Sequence, residues 1–238
     1  AAVEIPITRF DVAVYWCPDP DDLFNDPNRT TQRHLGFIEG VELFDNKYFE
    51  ISNNESMQMG PMQRQVLECG GGLLHLFGIS KKRTNKEPFH AGCSVGMDKD
   101  DYPSLGIGYG GSNVVAIIGN RFSFTFNLKG PNYVCDTACS ASLVATHIGR
   151  LMLLERKWDP LDFHIAIGTH LCLSPAPYIG NSLGRMCSPE GRCFTFNATA
   201  NGYLRGEGTS GMILKYGSLP TERLAIMRAS QAGQNGRS

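Results

Sequence analysis

Two cysteines four residues apart, Cys135 and Cys139, stand in the stretch "NYVCDTACSASLVATHIGRLM", residues 132–152. The second falls where a short apolar strand gives way to a long apolar helix. Backbone amides at a helix N-terminus lack partners, and with the helix dipole they favour an anion, which lowers a thiol's pKa. The same amides can hold the oxyanion formed when a thiolate attacks a carbonyl. Ala138, Ser140 and Ala141 are small and leave room for an acyl group. Position alone leaves two readings of Cys139 open, nucleophile or structural thiol. Cys135 lies within the strand, and Cys69, Cys93, Cys172, Cys187 and Cys193 read as small buried hydrophobes. The serine-hydrolase pattern G-x-S-x-G is absent from the turn.

The elements that must position Cys139 form a β-α-β unit: a strand over Tyr133 to Asp136, a helix from Ser140 to about Lys157, and a strand over Phe163 to Gly168. A helical crossover implies parallel strands. Leu143, Val144, Ala145, Ile148, Leu151, Met152 and Leu154 surround the helix axis and predict burial on most sides. A second helix begins near Pro61, a residue suited to a first turn. Gly70, Gly71 and Gly72 interrupt it, and each costs about 1 kcal/mol relative to alanine in a helix interior. The helix is therefore kinked, broken or pressed closely against another backbone, and the sequence does not choose. "FHAGCSVGM" reads as a strand, and Phe122, Phe124 and Phe126 alternate as a strand would after a short helix. The first sixty residues are rich in turns, with a surface loop at "CPDPDDLFNDPNRT" and a half-buried aromatic layer around Phe44, Tyr48 and Phe49. A glycine-rich tail leads into a strand over Gly211 to Lys215. Gly106, Gly108 and Gly111 satisfy G-x-G-x-x-G, but no strand precedes them and no acid follows at the required distance. They read instead as backbone that passes close to something.

The chain has 238 residues, enough for one large α/β domain over 1–238. Its 22 basic and 23 acidic residues give a net charge of −1 and point away from nucleic acid. No apolar run approaches the roughly 20 residues of a membrane span, which predicts a soluble protein. Eight cysteines without paired spacing predict free thiols in a reducing compartment. Asn28, Asn54 and Asn197 open N-x-S/T triplets, which mean nothing without a secretory signal, and none is visible. The chain opens without methionine, so an upstream segment would not be seen.

The segment "DTACSASLVATHIGRLML" closely resembles the active-site segment of β-ketoacyl synthases, the condensing enzymes of polyketide and fatty acid synthases. "RFDVAVYWCPDPD", "GPMQR", "GMDKDDY", "GNRFSFTFNLKGP", "LSPAPYIGNSLGRMCSPEGRCFTFNATANGYLRGEGTSGMILK" and "ASQAGQNGRS" follow in the order and spacing of a polyketide-type ketosynthase. The resemblance implies an α/β, thiolase-like layered α-β-α-β-α fold, of which this chain is mostly the N-terminal half, trimmed at both ends. It implies Cys139 as the catalytic nucleophile. That thiol takes an acyl chain by thioester exchange from the phosphopantetheine arm of an acyl carrier protein, its own amide contributing to the oxyanion hole. A malonyl thioester is then decarboxylated, and its carbanion attacks the acyl-enzyme. No cofactor is bound directly and no metal is implied. The expected partners are the carrier protein, acyl and malonyl thioesters, and a second copy in a homodimer or a larger assembly. The expected place is the cytoplasm, or a plastid if a transit peptide was removed.

The family's two catalytic histidines would follow Ser238. The six histidines present (34, 75, 90, 147, 164 and 170) lie outside the matching positions. His147 is eight residues past Cys139, about 12 Å along the helix, and reads as packing. Gly60, Asn197 and Asn201 stand where the family usually has aspartate, and Asn181 where an aromatic residue often lies beside the acyl pocket. Arg205 and Glu207 match "LRGEG" and read as a structural ion pair supporting the active-site floor. These features leave three expectations: a working β-ketoacyl synthase, a non-catalytic ketosynthase-like structural subunit of a larger assembly, or a cysteine-dependent acyl transferase limited to thioester exchange.

Overall fold

The computed structural model describes residues 2–103 and 114–237. In chain order they form β1 (Ala2–Glu4), β2 (His34–Gly36), α1 (Asn53–Gln58), α2 (Pro61–Leu76), α3 (Lys81–Lys86), β3 (Gly92–Met97), α4 (Val115–Thr125), β4 (Asn132–Cys135), α5 (Ala141–Leu154), β5 (His164–His170), α6 (Ala176–Leu183) and β6 (Gly208–Leu214). The chain divides into two compact units, one of residues 1–43, 100–107 and 170–208, the other of residues 44–99, 108–169 and 209–238. Gly106, Gly108 and Gly111 lie outside the described residues. No helix among the described residues is long and apolar enough to cross a membrane.

In the first unit β1 and β2 pair antiparallel, with Val3 opposite Leu35. Ile5, Val12, Leu35, Cys172 and Tyr178 form its buried core, with Phe10, Trp16 and Phe37 packed against them. The turn into α6 would leave two amides without partners. Asp101 Oδ2 accepts from both, Leu173 N and Ser174 N, each at 2.8 Å. α6 is tied back by Ser182, whose Oγ lies 2.9 Å from Thr30 Oγ1 and accepts from Thr31 N.

The second unit holds a sheet in the order β4-β3-β5-β6. β3 runs parallel to both neighbours, with Val95 opposite Val134 on one side and Ile167 on the other. All six residues of β3 are buried, as expected of a central strand covered on both faces. β6 runs against β5: Thr169 meets Thr209 at 2.7 Å, while Gly211 lies against Ala166. The β-α-β unit is present, with α5 ending three residues earlier than expected and β5 ending two residues later.

Three expectations are corrected. Phe122 and Phe124 lie on helix α4, not on a strand. An alternating trio of phenylalanines also contains an i, i+4 pair, and burial selects that pair: Phe122 and Phe126 are buried while Phe124 is exposed. α5 is not buried on most sides. It buries Ala141, Ala145, Thr146, Gly149 and Leu153, and leaves Leu143, Leu151 and Leu154 open. The stretch read as a half-buried layer is a series of turns, with Phe44 stacked on Phe49 at 5.0 Å.

α2 is continuous through its three glycines. A Cβ on Gly70 would stand 2.1 Å from the Phe122 ring, and one on Gly71 would stand 3.1 Å from Phe126, so α2 is pressed onto the aromatic face of α4. Gly72 faces open space. The contrast sets opposite outcomes in chemical denaturation. Gly70→Ala is expected to cost roughly 1–3 kcal/mol by overpacking, whereas Gly72→Ala should gain about 0.5–1 kcal/mol from helix propensity.

His164 lies fully buried at the start of β5, where Gly149 of α5 and Gly92 of β3 make room for its ring. Ser94 Oγ donates to Ala145 O at 2.7 Å, so His164 Nε2, 2.8 Å from that Oγ, carries the hydrogen and donates to it. Nδ1 has no partner. Burial lowers the imidazole pKa from 6.5 to about 4. The unfolded chain takes up this proton near 6.5 and the folded chain only near 4, so the contribution is complete above 6.5 and lost as pH falls to 4. Its full size is about 3 kcal/mol. Urea midpoints should fall across that window in the parent chain, and His164→Leu should flatten the slope.

Candidate active site

The turn between β4 and α5 is fixed by short-range hydrogen bonds. Asp136 Oδ1 accepts from Ala138 N at 2.9 Å, and Ser140 Oγ donates to Thr137 O at 2.9 Å. Ala138 has φ of 52°, in the left-handed region that few residues other than glycine adopt. A reversal this tight places the next residue, Cys139, at the tip, where it is exposed and its thiol is free. Ala141 N donates to Ala138 O at 3.0 Å, so the helix begins two residues past the cysteine.

What holds this tip is a notch in the sheet. Gly96 of β3 and Gly168 of β5 are cross-strand partners. A Cβ on Gly96 would lie 2.3 Å from the carbonyl of Ala141, and one on Gly168 would lie 2.5 Å from Ser142 Cβ. The first turn of α5 therefore rests directly on strand backbone. Neither glycine was singled out from sequence. The available signal was a glycine near the C-terminal end of each of two apolar strands, "CSVGM" and "IAIGT".

Cys135 points inward from β4, its Sγ 3.5 Å from Ala141 O and 3.7 Å from Val95 O. Burial, and then the charge of Asp136, push its thiol pKa up. Burial likewise raises Cys69, Cys172 and Cys187, and takes Cys93 to about 12. Cys193 departs from the expectation of a buried hydrophobe: it is exposed, and its Sγ accepts from Leu204 N at 3.1 Å. His147 lies on α5 away from its first turn and hydrogen-bonds through Nδ1 to Ser230 Oγ at 2.9 Å.

In the first unit the expected Arg205–Glu207 pair is not formed. Glu207 pairs with Arg9, whose Nε and Nη2 donate to its two oxygens at 2.9 and 3.1 Å. Both side chains are nearly fully buried, at 6% and 0% exposure. Ile38 N and Cys172 N donate to the same carboxylate. Arg205 turns elsewhere: its Nη2 lies 3.0 Å from His170 Nε2 and its guanidinium 5.2 Å from the Tyr178 ring centre. Asn181 is buried on α6 and donates to Tyr203 OH at 3.0 Å. Among the described residues no group of three or more His, Cys, Asp or Glu side chains could hold a metal ion.

Known proteins resemble this chain in sequence and in fold. Residues 2–218 match the family described as "Beta-ketoacyl synthase, N-terminal domain". An orsellinic acid synthase of Armillaria ostoyae is 33% identical over 98% of this chain. A phenolphthiocerol/phthiocerol polyketide synthase chain of Mycobacterium tuberculosis is 32% identical over 98%. The chain spans only 11% and 15% of those two proteins. Among solved structures, the ketosynthase from module 6 of the Bacillus subtilis bacillaene synthase superposes with a TM-score of 0.80 at 30% identity, covering 90% of this chain and 35% of that one. A Streptomyces albus oxazolomycin ketosynthase domain gives 0.79 at 28% identity, covering 90% and 37%. The fold is thus the thiolase-like α/β fold of ketosynthases, and the chain belongs to the β-ketoacyl synthase family, as a polyketide-type ketosynthase N-terminal domain.

Proposed function

We propose that this chain, as one ketosynthase N-terminal-half domain over residues 1–238, carries the acyl-loading half of a decarboxylative condensation, with Cys139 as the nucleophile. The observation that supports this reading is an exposed thiol at a turn pinned against a two-glycine notch, directly ahead of a helix start. The thiolate would attack the carbonyl of an acyl thioester on the phosphopantetheine arm of a carrier protein. The negative oxygen would be held by the Cys139 N–H while the tetrahedral adduct forms. Collapse breaks the bond from carbonyl carbon to the phosphopantetheine sulfur, which leaves as the thiolate, and the acyl group stays on Cys139. Decarboxylation of a malonyl thioester would then supply the carbanion that takes up the acyl group. That step needs donors to an enolate oxygen. His147 and His164 are committed elsewhere by their hydrogen bonds, and the reading covers loading. A homodimer, and a cytoplasmic place of action, belong to the same reading.

Incubation with an acyl-pantetheine thioester followed by peptide mass spectrometry should find the acyl mass on Cys139, removable by hydroxylamine and lost in Cys139→Ala. Gly96→Ala, which displaces the first turn of α5, should slow loading more than tenfold, a barrier increase above about 1.4 kcal/mol. An acyl group on another cysteine, or none on a folded chain, would replace this reading with that of a structural subunit.

A further inference from the structure

The second unit gathers positive charge at the end of its sheet away from Cys139. Strands β3, β4 and β5 begin there and β6 ends there. The segments entering and leaving them carry Lys82, Arg83, Lys86, Lys129, Arg156, Lys157 and Lys215. Contacts join these segments into one surface. Lys129 N donates to Phe89 O at 2.9 Å, Asn127 Nδ2 donates to Thr84 O of α3 at 3.0 Å, and Asp162 N donates to His90 O at 2.9 Å. Phe163 lies between Phe77 and Phe89, with ring centres 5.3 and 5.8 Å away.

The acids on this surface are already occupied. Glu87 takes Arg83 at 3.2 Å, Asp159 takes His90 at 2.6 Å, and Glu155 accepts from the amides of Lys157 and Trp158. No carboxylate pairs with Lys82, Lys86, Lys129 or Lys157 among the described residues. The cations alternate with rings: Arg83 over Phe89 at 5.3 Å, Arg156 over Tyr216 at 5.2 Å, and Lys157 over Trp158 at 4.4 Å. Trp158 is 78% exposed and Tyr216 56%.

The geometry points to a protein-docking surface here, one that fits an acidic segment carrying apolar side chains between its carboxylates. Exposed Trp, Tyr and Arg are the residue types that anchor protein interfaces, and a rim of unpaired lysines steers an oppositely charged partner. The cations stand between aromatic rings rather than in a continuous stripe, so a nucleic acid backbone fits less well. The surface and Cys139 occupy opposite ends of the strands, so a partner held here leaves the thiol accessible.

Trp158 is one of two tryptophans, and in a Trp16→Phe background it reports on this surface alone. A peptide repeating Glu-Glu-Leu-Phe is expected to bind with micromolar affinity, to change Trp158 emission, and to weaken with added salt. Binding should fall at least about tenfold in a Lys129→Glu, Lys157→Glu double variant and persist in Lys99→Glu, at the far end of β3. Acyl loading of Cys139 should be unaltered by all three. Absence of binding, binding indifferent to the double variant, equal affinity for an all-glutamate peptide, or tighter binding of oligothymidylate would each overturn the assignment.

Discussion

The first turn of α5 touches strand backbone, and it can do so only because the facing position is glycine in both strands beneath it. Gly96 and Gly168 sit opposite each other in the sheet, under Ala141 and Ser142. Helices ordinarily stand off from a neighbour by the thickness of the side chains between them. Removing two Cβ atoms at one register position lets one end of the helix drop onto the sheet, and that end carries the Cys139 turn. The left-handed Ala138 is sustained by the same contact. A strained residue persists where its surroundings over-determine it, and here the strand before it and the helix after it are both seated on the sheet.

Farther along, α5 is seated by a different device. Gly149 leaves a gap that the His164 ring fills from below, and Ser94 links that ring to the Ala145 carbonyl. A histidine in this place must stay neutral, because charging it would bury an ion with one ring nitrogen unsatisfied. The first unit solves a similar problem with charge. Glu207 is buried with four donors, two from Arg9 and two from backbone amides, so its ionised form is fully satisfied. Arg205, also buried, meets no carboxylate among the described residues and faces the Tyr178 ring and the His170 imidazole instead.

Much of this was readable in advance, for reasons that differ by element. The β-α-β unit was legible because a short apolar strand, a turn of small residues and a long apolar helix each carry a local signal. α4 was misread because three phenylalanines at alternate positions satisfy the strand period while hiding an i, i+4 pair, and only the packing of Gly70 against Phe122 decides between them. The three glycines of α2 were equally opaque. Their role depends on what faces each one, and Gly70 and Gly72, two residues apart, have opposite surroundings. The Arg205–Glu207 pair failed because each side chain found another partner, Arg205 at His170 and Tyr178. Glu207 instead met Arg9, 198 residues away, and no single-sequence signal links such positions.

The preference for Cys139 in the proposed reading follows from the same physics. A thiol competes as a nucleophile through its ionised form, and burial opposes ionisation. Cys93 in the central strand and Cys135 beside the turn are both held protonated by their surroundings, although Cys135 is only four residues from Cys139. Exposure alone does not finish the selection, because Cys193 is exposed too. Its sulfur, however, accepts a hydrogen bond from Leu204 N within an irregular loop, and no helix begins beside it. Of the two exposed thiols, Cys139 and Cys193, Cys139 is the one that stands ahead of a helix start seated on the sheet. On the proposed reading of Cys139 the glycine notch and the chemistry are one constraint: without the close approach of α5 the sulfur would still be exposed, but the turn that carries it would not be held against the sheet.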